Sequence, residues 1–184
     1  PFLINKIMDA LKHYRKIMED AEKFQKITVD YDFDPVLSER TFDLHFGKLY
    51  GGYVKKAIAG DHSDFNIGGV ELHAAYFGQM QPPKSPNKPH GESAVLIIEH
   101  FGDFDNFKKE FTDIAISQQG SSWVYLSKSG KIKTIKNHKP ASDIALILDM
   151  WEHAFVLDYG SDKKKYVDNF WKIIDWRIVN ARLV

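Results

Sequence analysis

The strongest constraint on this chain is the run Ile144-Ala145-Leu146-Ile147-Leu148, closed at its two ends by Asp143 and Asp149. A short run that is apolar at every position reads as a buried strand. Asp149 then falls where the run stops, and an unpaired carboxylate at the edge of a core is costly enough to require a partner. His153 stands four residues on, within Asp149-Met150-Trp151-Glu152-His153. If the chain turns helical after the strand, both side chains enter one cavity, which Trp151 and Phe155 keep dry. A metal ion fits such a pair. So does a plainer arrangement, in which Asp149 caps a helix and His153 makes an ordinary hydrogen bond.

Composition narrows the chemistry. The 184 residues are 43% hydrophobic, enough to bury a core as one domain or as two packed halves. Cysteine is absent, which excludes disulfides, thiolate metal sites and cysteine nucleophiles and leaves His and carboxylate as the strong metal ligands. The 25 Lys and Arg residues balance 25 Asp and Glu, so net charge favours neither nucleic acid nor an acidic membrane as partner. Lys6, Asp9 and Lys12 interrupt the N-terminal region before signal-peptide length. No later segment is long enough to span a bilayer. The expected setting is cytoplasmic.

Taken in order, Leu3, Ile7, Leu11, Tyr14 and Met18 recur at helical spacing and predict an amphipathic helix over residues 1–25, its stripe packed on its own domain or on another subunit. Residues 26–78 are expected to form a helical hairpin. One helix, about 38–58, carries Leu44, His45, Leu49 and Tyr53 on one face, and the other, about 67–79, carries His73 among apolar residues. The Pro-rich stretch 79–92 reads as a linker. Over 93–184 the pattern is α+β. Phe101, Phe104, Phe107 and Phe111 sit at helical spacing; Trp123–Ser127 and Lys131–Lys136 form a hairpin around Lys128-Ser129-Gly130; the run ending at Asp149 adds a third antiparallel strand. A closing helix runs from Tyr166 through Trp176. The fold class is therefore α+β: an N-terminal helical-hairpin half, then a C-terminal half with a small three-stranded antiparallel sheet flanked by helices.

Several stretches together resemble the iron/manganese superoxide dismutases. They are Asp149-Met150-Trp151-Glu152-His153-Ala154 followed by Leu157-Asp158-Tyr159, then Phe101-Gly102-Asp103-Phe104-Asp105-Asn106-Phe107-Lys108, Gly120-Ser121-Ser122-Trp123 and Tyr166-Val167-Asp168-Asn169-Phe170-Trp171. In the helical half Leu44-His45, Tyr53-Val54 and Val70-x-x-His73 match in spacing, so the similarity runs over about residues 27–183.

The resemblance implies one Fe or Mn ion per subunit, held by His45, His73, Asp149 and His153, with superoxide as substrate and a homodimer or homotetramer as the assembly. It implies that Tyr53 lines the substrate gateway and that His138 takes the position of the Gln that contacts metal-bound solvent. A solvated turn is the other reading of His138. Trp123, Trp151 and Glu152 are implied to surround the ligands, Glu152 at the dimer interface by reaching the partner's copy of His153. The chain departs from the family at Gly69, where many iron enzymes supply the Gln, and at Leu49 and Val156, where a gateway His and its Tyr partner usually stand. Lys163 falls where the family has an Arg at the funnel mouth; equally it is one solvated member of Lys163-Lys164-Lys165. Alternatives are a repurposed member of the fold serving as a structural or interaction protein, and another enzyme using three His and one Asp, for zinc hydrolysis or oxygen activation on iron.

Overall fold

The computed structural model describes the backbone of residues 2–184 and the side chains of residues 11–184. A helix α1 (Phe2–Lys23) leads in. A continuous helical stretch follows, made of α2 (Glu39–Phe42), a π-helical segment (Asp43–Tyr50) and α3 (Gly51–Ile58), and α4 (Asp64–Gly78) returns against it. Ser38 and Ser63 start the two arms by accepting hydrogen bonds from the backbone N–H of Thr41 and Asn66.

The second half opens with α5 (Gly91–Phe101) and α6 (Phe104–Ser117). Strands β1 (Ser122–Ser127), β2 (Ile132–Lys136) and β3 (Ile144–Asp149) form an antiparallel sheet in the order β2-β1-β3. Every residue of β1 and β3 is buried, as the unbroken apolar run requires. At the sheet edge β2 shows Lys133 and Lys136, side chains that discourage pairing with another strand. The register pairs Trp123 with Asp149, which sets the indole beside the end of β3.

The junction of the halves is held by polar groups. Gln79, just past α4, bonds the backbone of Ile147 with both ends of its amide, donating to the carbonyl and accepting from the N–H, as a neighbouring strand would. The Arg182 guanidinium donates to Gln79 Oε1, to the Ala145 carbonyl and to the Ala75 carbonyl, and so ties α4, β3 and the last helix together. Burial lowers its pKa to about 10. The stretch after Gln79 is tied as well: Gln81 and Lys84 donate their backbone N–H groups to the carbonyls of Ile173 and Lys172.

Two expectations need correction. The packing of the α1 stripe on its own domain is the first, since Leu11, Tyr14 and Met18 remain 48%, 61% and 45% exposed, and it is the far end of the segment, at Asp20 and Phe24, that is buried. Leu3 and Ile7 lie outside the described side chains. The second is the closing helix, which is two helices, α8 (Lys163–Phe170) and α9 (Trp176–Leu183), the latter begun by the Asp175 side chain accepting from the Arg177 N–H. His45 and Tyr53 do look the same way, since both rings lie against the His73 imidazole, at 5.0 Å and 5.5 Å between centroids. After β3 the chain makes a 3₁₀ turn (Glu152–Ala154) and the short α7 (Val156–Tyr159).

Candidate metal centre

Four side chains from four elements of the chain converge at the junction of the halves. His45 comes from the π-helical segment, His73 from α4, Asp149 from the end of β3 and His153 from the 3₁₀ turn. One ligand atom from each lies within 4.8 Å of all the others. Asp149 Oδ2 is 3.0 Å from His45 Nε2, 3.4 Å from His153 Nε2 and 3.9 Å from His73 Nε2.

None of these four atoms has a hydrogen-bond partner, although all are buried. Leaving a buried polar atom unpaired costs about 1–3 kcal/mol, and four at one point is a concentration that calls for a shared partner. Two neighbours aim them there. His73 donates its Nδ1–H to the Gly69 carbonyl at 2.6 Å, which leaves the Nε2 lone pair facing the cluster. Asp149 accepts the Trp151 N–H on Oδ1 at 2.7 Å, which leaves Oδ2 free. Donors that share one ion at roughly 2.0–2.2 Å are spaced in this way. The set is three nitrogens and one oxygen without sulfur, which suits iron or manganese.

The surroundings set the charges. Burial lowers the pKa of His45 and takes that of His73 well below its ordinary value, so both rings are neutral and available as donors near neutral pH. Burial pushes the Asp149 carboxyl up, but the His153 and His45 imidazoles outweigh it and hold the group ionised, well below the usual carboxylate range. A carboxylate among neutral imidazoles is the charge pattern that a cation neutralises.

Aromatic rings wall the cluster. Tyr76 stacks on His45 at 5.4 Å, Tyr50 on His73 at 5.9 Å, and Trp123 meets His73 edge-on at 5.0 Å. The Tyr166 hydroxyl donates to the Asp149 carbonyl at 2.9 Å and pairs with the Tyr76 hydroxyl at 2.8 Å, which anchors the end of β3 to α4 and α8. No site role was given from the sequence to Tyr76, which follows His73 by about one helical turn, or to Tyr166, which opens one of the stretches that carry the resemblance.

The remaining predicted residues fall around this cluster. His138 is 2% exposed, so the solvated-turn reading is excluded. It accepts the Trp123 indole N–H on Nδ1 at 3.1 Å, faces the Tyr53 hydroxyl with Nε2 at 3.1 Å and stacks on Trp151 at 4.4 Å. Burial lowers its pKa to about 4 and raises that of Tyr53. Glu152 is exposed on the same turn as His153. Lys163 donates to the Gln118 carbonyl at 2.6 Å and lines, with Glu152, Phe155 and Val156, a surface cavity of about 190 Å³. Leu49 is half-buried and Val156 exposed.

Two glycines make the close approach possible. A Cβ at Gly68 would sit 2.6 Å from the Lys139 backbone nitrogen, and one at Gly69 would sit 2.7 Å from the Tyr53 ring. Gly68 thus lets the loop that carries His138 lie against α4. Gly68→Ala is expected to destabilise the protein by about 1–3 kcal/mol, because the clash is with backbone and no rotamer change relieves it. A thermal melt of the variant with metal bound checks this, and an unchanged Tm would show that the loop yields freely.

Comparison with known proteins agrees with the site. The family profile described as "Iron/manganese superoxide dismutases, C-terminal domain" matches residues 89–182. The chain is 35% identical to "Superoxide dismutase [Fe]" of Bacteroides fragilis (strain YCH46), over 82% of this chain and 92% of the relative. It is 36% identical to "Superoxide dismutase [Mn/Fe]" of Propionibacterium freudenreichii subsp. shermanii, over 83% and 92% of the two chains. Identity to "Superoxide dismutase [Mn]" of Mycolicibacterium smegmatis is 33%, over 84% and 89%. With relatives of this identity aligned along most of both chains, and a metal-binding cluster at the junction of a helical hairpin and a three-stranded sheet, the chain belongs to the iron/manganese superoxide dismutase family.

Proposed function

We propose that this protein converts two superoxide anions and two protons into oxygen and hydrogen peroxide, with His45, His73, Asp149 and His153 holding one Fe or Mn ion. The observation that carries this reading is the convergence of four buried, partnerless ligand atoms within 4.8 Å of one another. When bound there, iron or manganese supplies a one-electron couple that takes an electron from one superoxide and returns it to another.

The chain's own residues do the rest. Asp149 brings negative charge that favours the more oxidised ion, and the neutral His45 and His73 imidazoles join the donor set without adding charge. Tyr76, Trp123 and Trp151 surround the ligands with rings that exclude bulk water. Tyr53, half-buried and hydrogen-bonded to His138, places a hydroxyl beside His73, where a proton is needed for peroxide. Glu152 serves the dimer in this reading. It sits on the exposed turn next to His153, with exposed Val156 and Leu157 extending the surface, so a second copy placed here would cover the ligand nearest to solvent. Lys163 adds a positive charge close to that surface, which favours approach of an anion.

Tyr53→Phe tests the assignment, since it removes one hydroxyl and no ligand. Metal content is expected to stay at the wild-type level while turnover per bound ion falls about tenfold or more, the scale of a lost proton donor. Elemental analysis alongside a superoxide assay reads both. Unchanged turnover would remove Tyr53 from the reaction, and lost metal would show that it supports the ligands instead.

A further inference from the structure

Away from the metal centre, three segments close around a second concave site. Residues 84–88, the first turns of α6 and the end of α8 with the turn after it line a cleft of about 210 Å³. Four lysines stand in its wall: Lys84, Lys88 and Lys172, which are exposed, and Lys108, which is half-buried. None of the four clustered metal ligands lines it.

The lysine charges go unanswered. Lys84, Lys88, Lys108 and Lys172 have no carboxylate within ion-pair distance among the described residues. Lys172 donates to Asn169 Oδ1 at 2.7 Å, a neutral acceptor that leaves its charge in place. Lys108 holds its ammonium 6.0 Å from the centre of the Trp171 ring, a contact that also adds no negative charge. Two carboxylates line the cleft, but Asp168 is taken by Lys164 at 2.6 Å. Asp175 feels Lys84 at longer range and is already bound by the Arg177 guanidinium at 2.9 and 2.7 Å. Four ammonium groups thus face one carboxylate without an ion-pair partner among the described residues, Asp105.

The wall is also held in shape. Lys84 donates its backbone N–H to the Lys172 carbonyl at 2.9 Å, and the Asn87 amide donates to the carbonyls of Trp171 and Ile174 at 2.9 and 2.8 Å. Like charges fixed around a concavity focus a positive field in it, and no loop has to be ordered when an anion arrives.

What fits is small and densely charged. The cleft is below the roughly 300–1,000 Å³ of sites that enclose drug-sized ligands. Trp171 is 3% exposed, so its indole offers no open face on which a nucleobase could stack. Lysine ammonium groups act as point charges, which suits phosphate oxygens, and amines from three separate segments call for more than one anionic group. We propose that this cleft binds a condensed inorganic phosphate, of which pyrophosphate is the shortest, with Lys84, Lys88, Lys108 and Lys172 as its cationic contacts. The binding is reversible and makes or breaks no covalent bond, and it does not rest on the dismutase reading.

Titration calorimetry of the metal-loaded full chain with sodium pyrophosphate tests this. The expected result is saturable binding of one pyrophosphate per chain, weakened by added salt, with orthophosphate held less tightly. Bound metal measured afterwards is expected to be unchanged; heat that tracks metal lost to pyrophosphate overturns the proposal. Lys84→Gln combined with Lys88→Gln removes two exposed charges and is expected to weaken binding about tenfold. Asp105→Asn removes the repelling carboxylate and is expected to tighten binding by a few-fold, a gain that misfolding does not produce. Lys128→Gln combined with Lys131→Gln, at the turn of the β1–β2 hairpin, removes two exposed lysines elsewhere and is expected to change nothing. No saturable binding, an equal loss in the hairpin variant, or an oligonucleotide held more tightly than pyrophosphate at the same lysines overturns the proposal.

Discussion

His153→Ala is expected to abolish metal binding while leaving the chain folded. His153 is the least enclosed of the four clustered residues, with 18% of its side chain exposed against 1% or less for His45, His73 and Asp149. Truncating it opens the cluster to water at a surface turn and disturbs little of the core. Loss of a direct ligand should exceed the roughly 10–100-fold loss of affinity that follows removal of a group merely supporting a ligand, so metal content after dialysis should fall below about a tenth of wild type. Activity disappears with it. If Glu152 reaches across to a second copy at this turn, the same variant also weakens the dimer, which sedimentation at several concentrations would show. Full metal content in the variant would make the ligand assignment wrong.

Stripping the metal should lower the melting temperature by on the order of 10 °C. An ion at about a thousand times its dissociation constant contributes ~4 kcal/mol, and in a domain of this size each kcal/mol moves Tm by about 2–4 °C. The physical source is local: without a cation, the ionised Asp149 is fully buried beside the neutral imidazoles of His45 and His73. Acid should lower the melting temperature further. The buried histidines have folded-state pKa values below the ordinary His value, so between about pH 6.5 and the lowered values the unfolded chain takes up protons that the folded chain does not. Their contribution is thus complete above about pH 6.5 and is lost as pH falls through the lowered range, toward about 4 in the case of His138. Protonation also competes with metal binding in the same direction. Calorimetry of loaded and stripped protein at pH 7.5 and pH 5 checks both points; a Tm indifferent to the metal would contradict them.

The parts of the fold that were legible in the sequence are those with local causes. The third strand is announced by five apolar residues in a row, and the hairpin by alternation around Lys128-Ser129-Gly130. Other features depend on what lies opposite in space. The stripe on α1 shows which face an amphipathic helix could bury but not whether anything covers it, and within this chain Leu11, Tyr14 and Met18 stay uncovered. Aromatic residues continue at close spacing through the turn after α8, so periodicity ran two helices into one, and only the cap at Asp175 marks the break. The π-helical winding at Asp43–Tyr50 left no mark in the pattern.

The site divides in the same way. Asp149 and His153 stood out by position, but spacing alone left a structural reading open, and their union with His45 and His73 came from the family resemblance. Gly68 carried no sequence signal and Gly69 stood out only as a departure from the family, since their role is to omit a side chain where Lys139 and Tyr53 press against α4. Tyr166 was legible only as the start of the closing helix and of a matching stretch, because its hydrogen bond to the Asp149 carbonyl joins residues on separate elements.

The claim at the centre of this account is that three imidazoles and one carboxylate hold a single redox-active ion. Reconstituting the purified chain with iron or with manganese, and measuring bound metal and superoxide consumption on the same samples, tests it most directly. The account predicts close to one ion per chain and dismutation with at least one of the two metals, both abolished by His153→Ala. A chain that binds neither metal, or fills with one of them and leaves superoxide untouched, would contradict it.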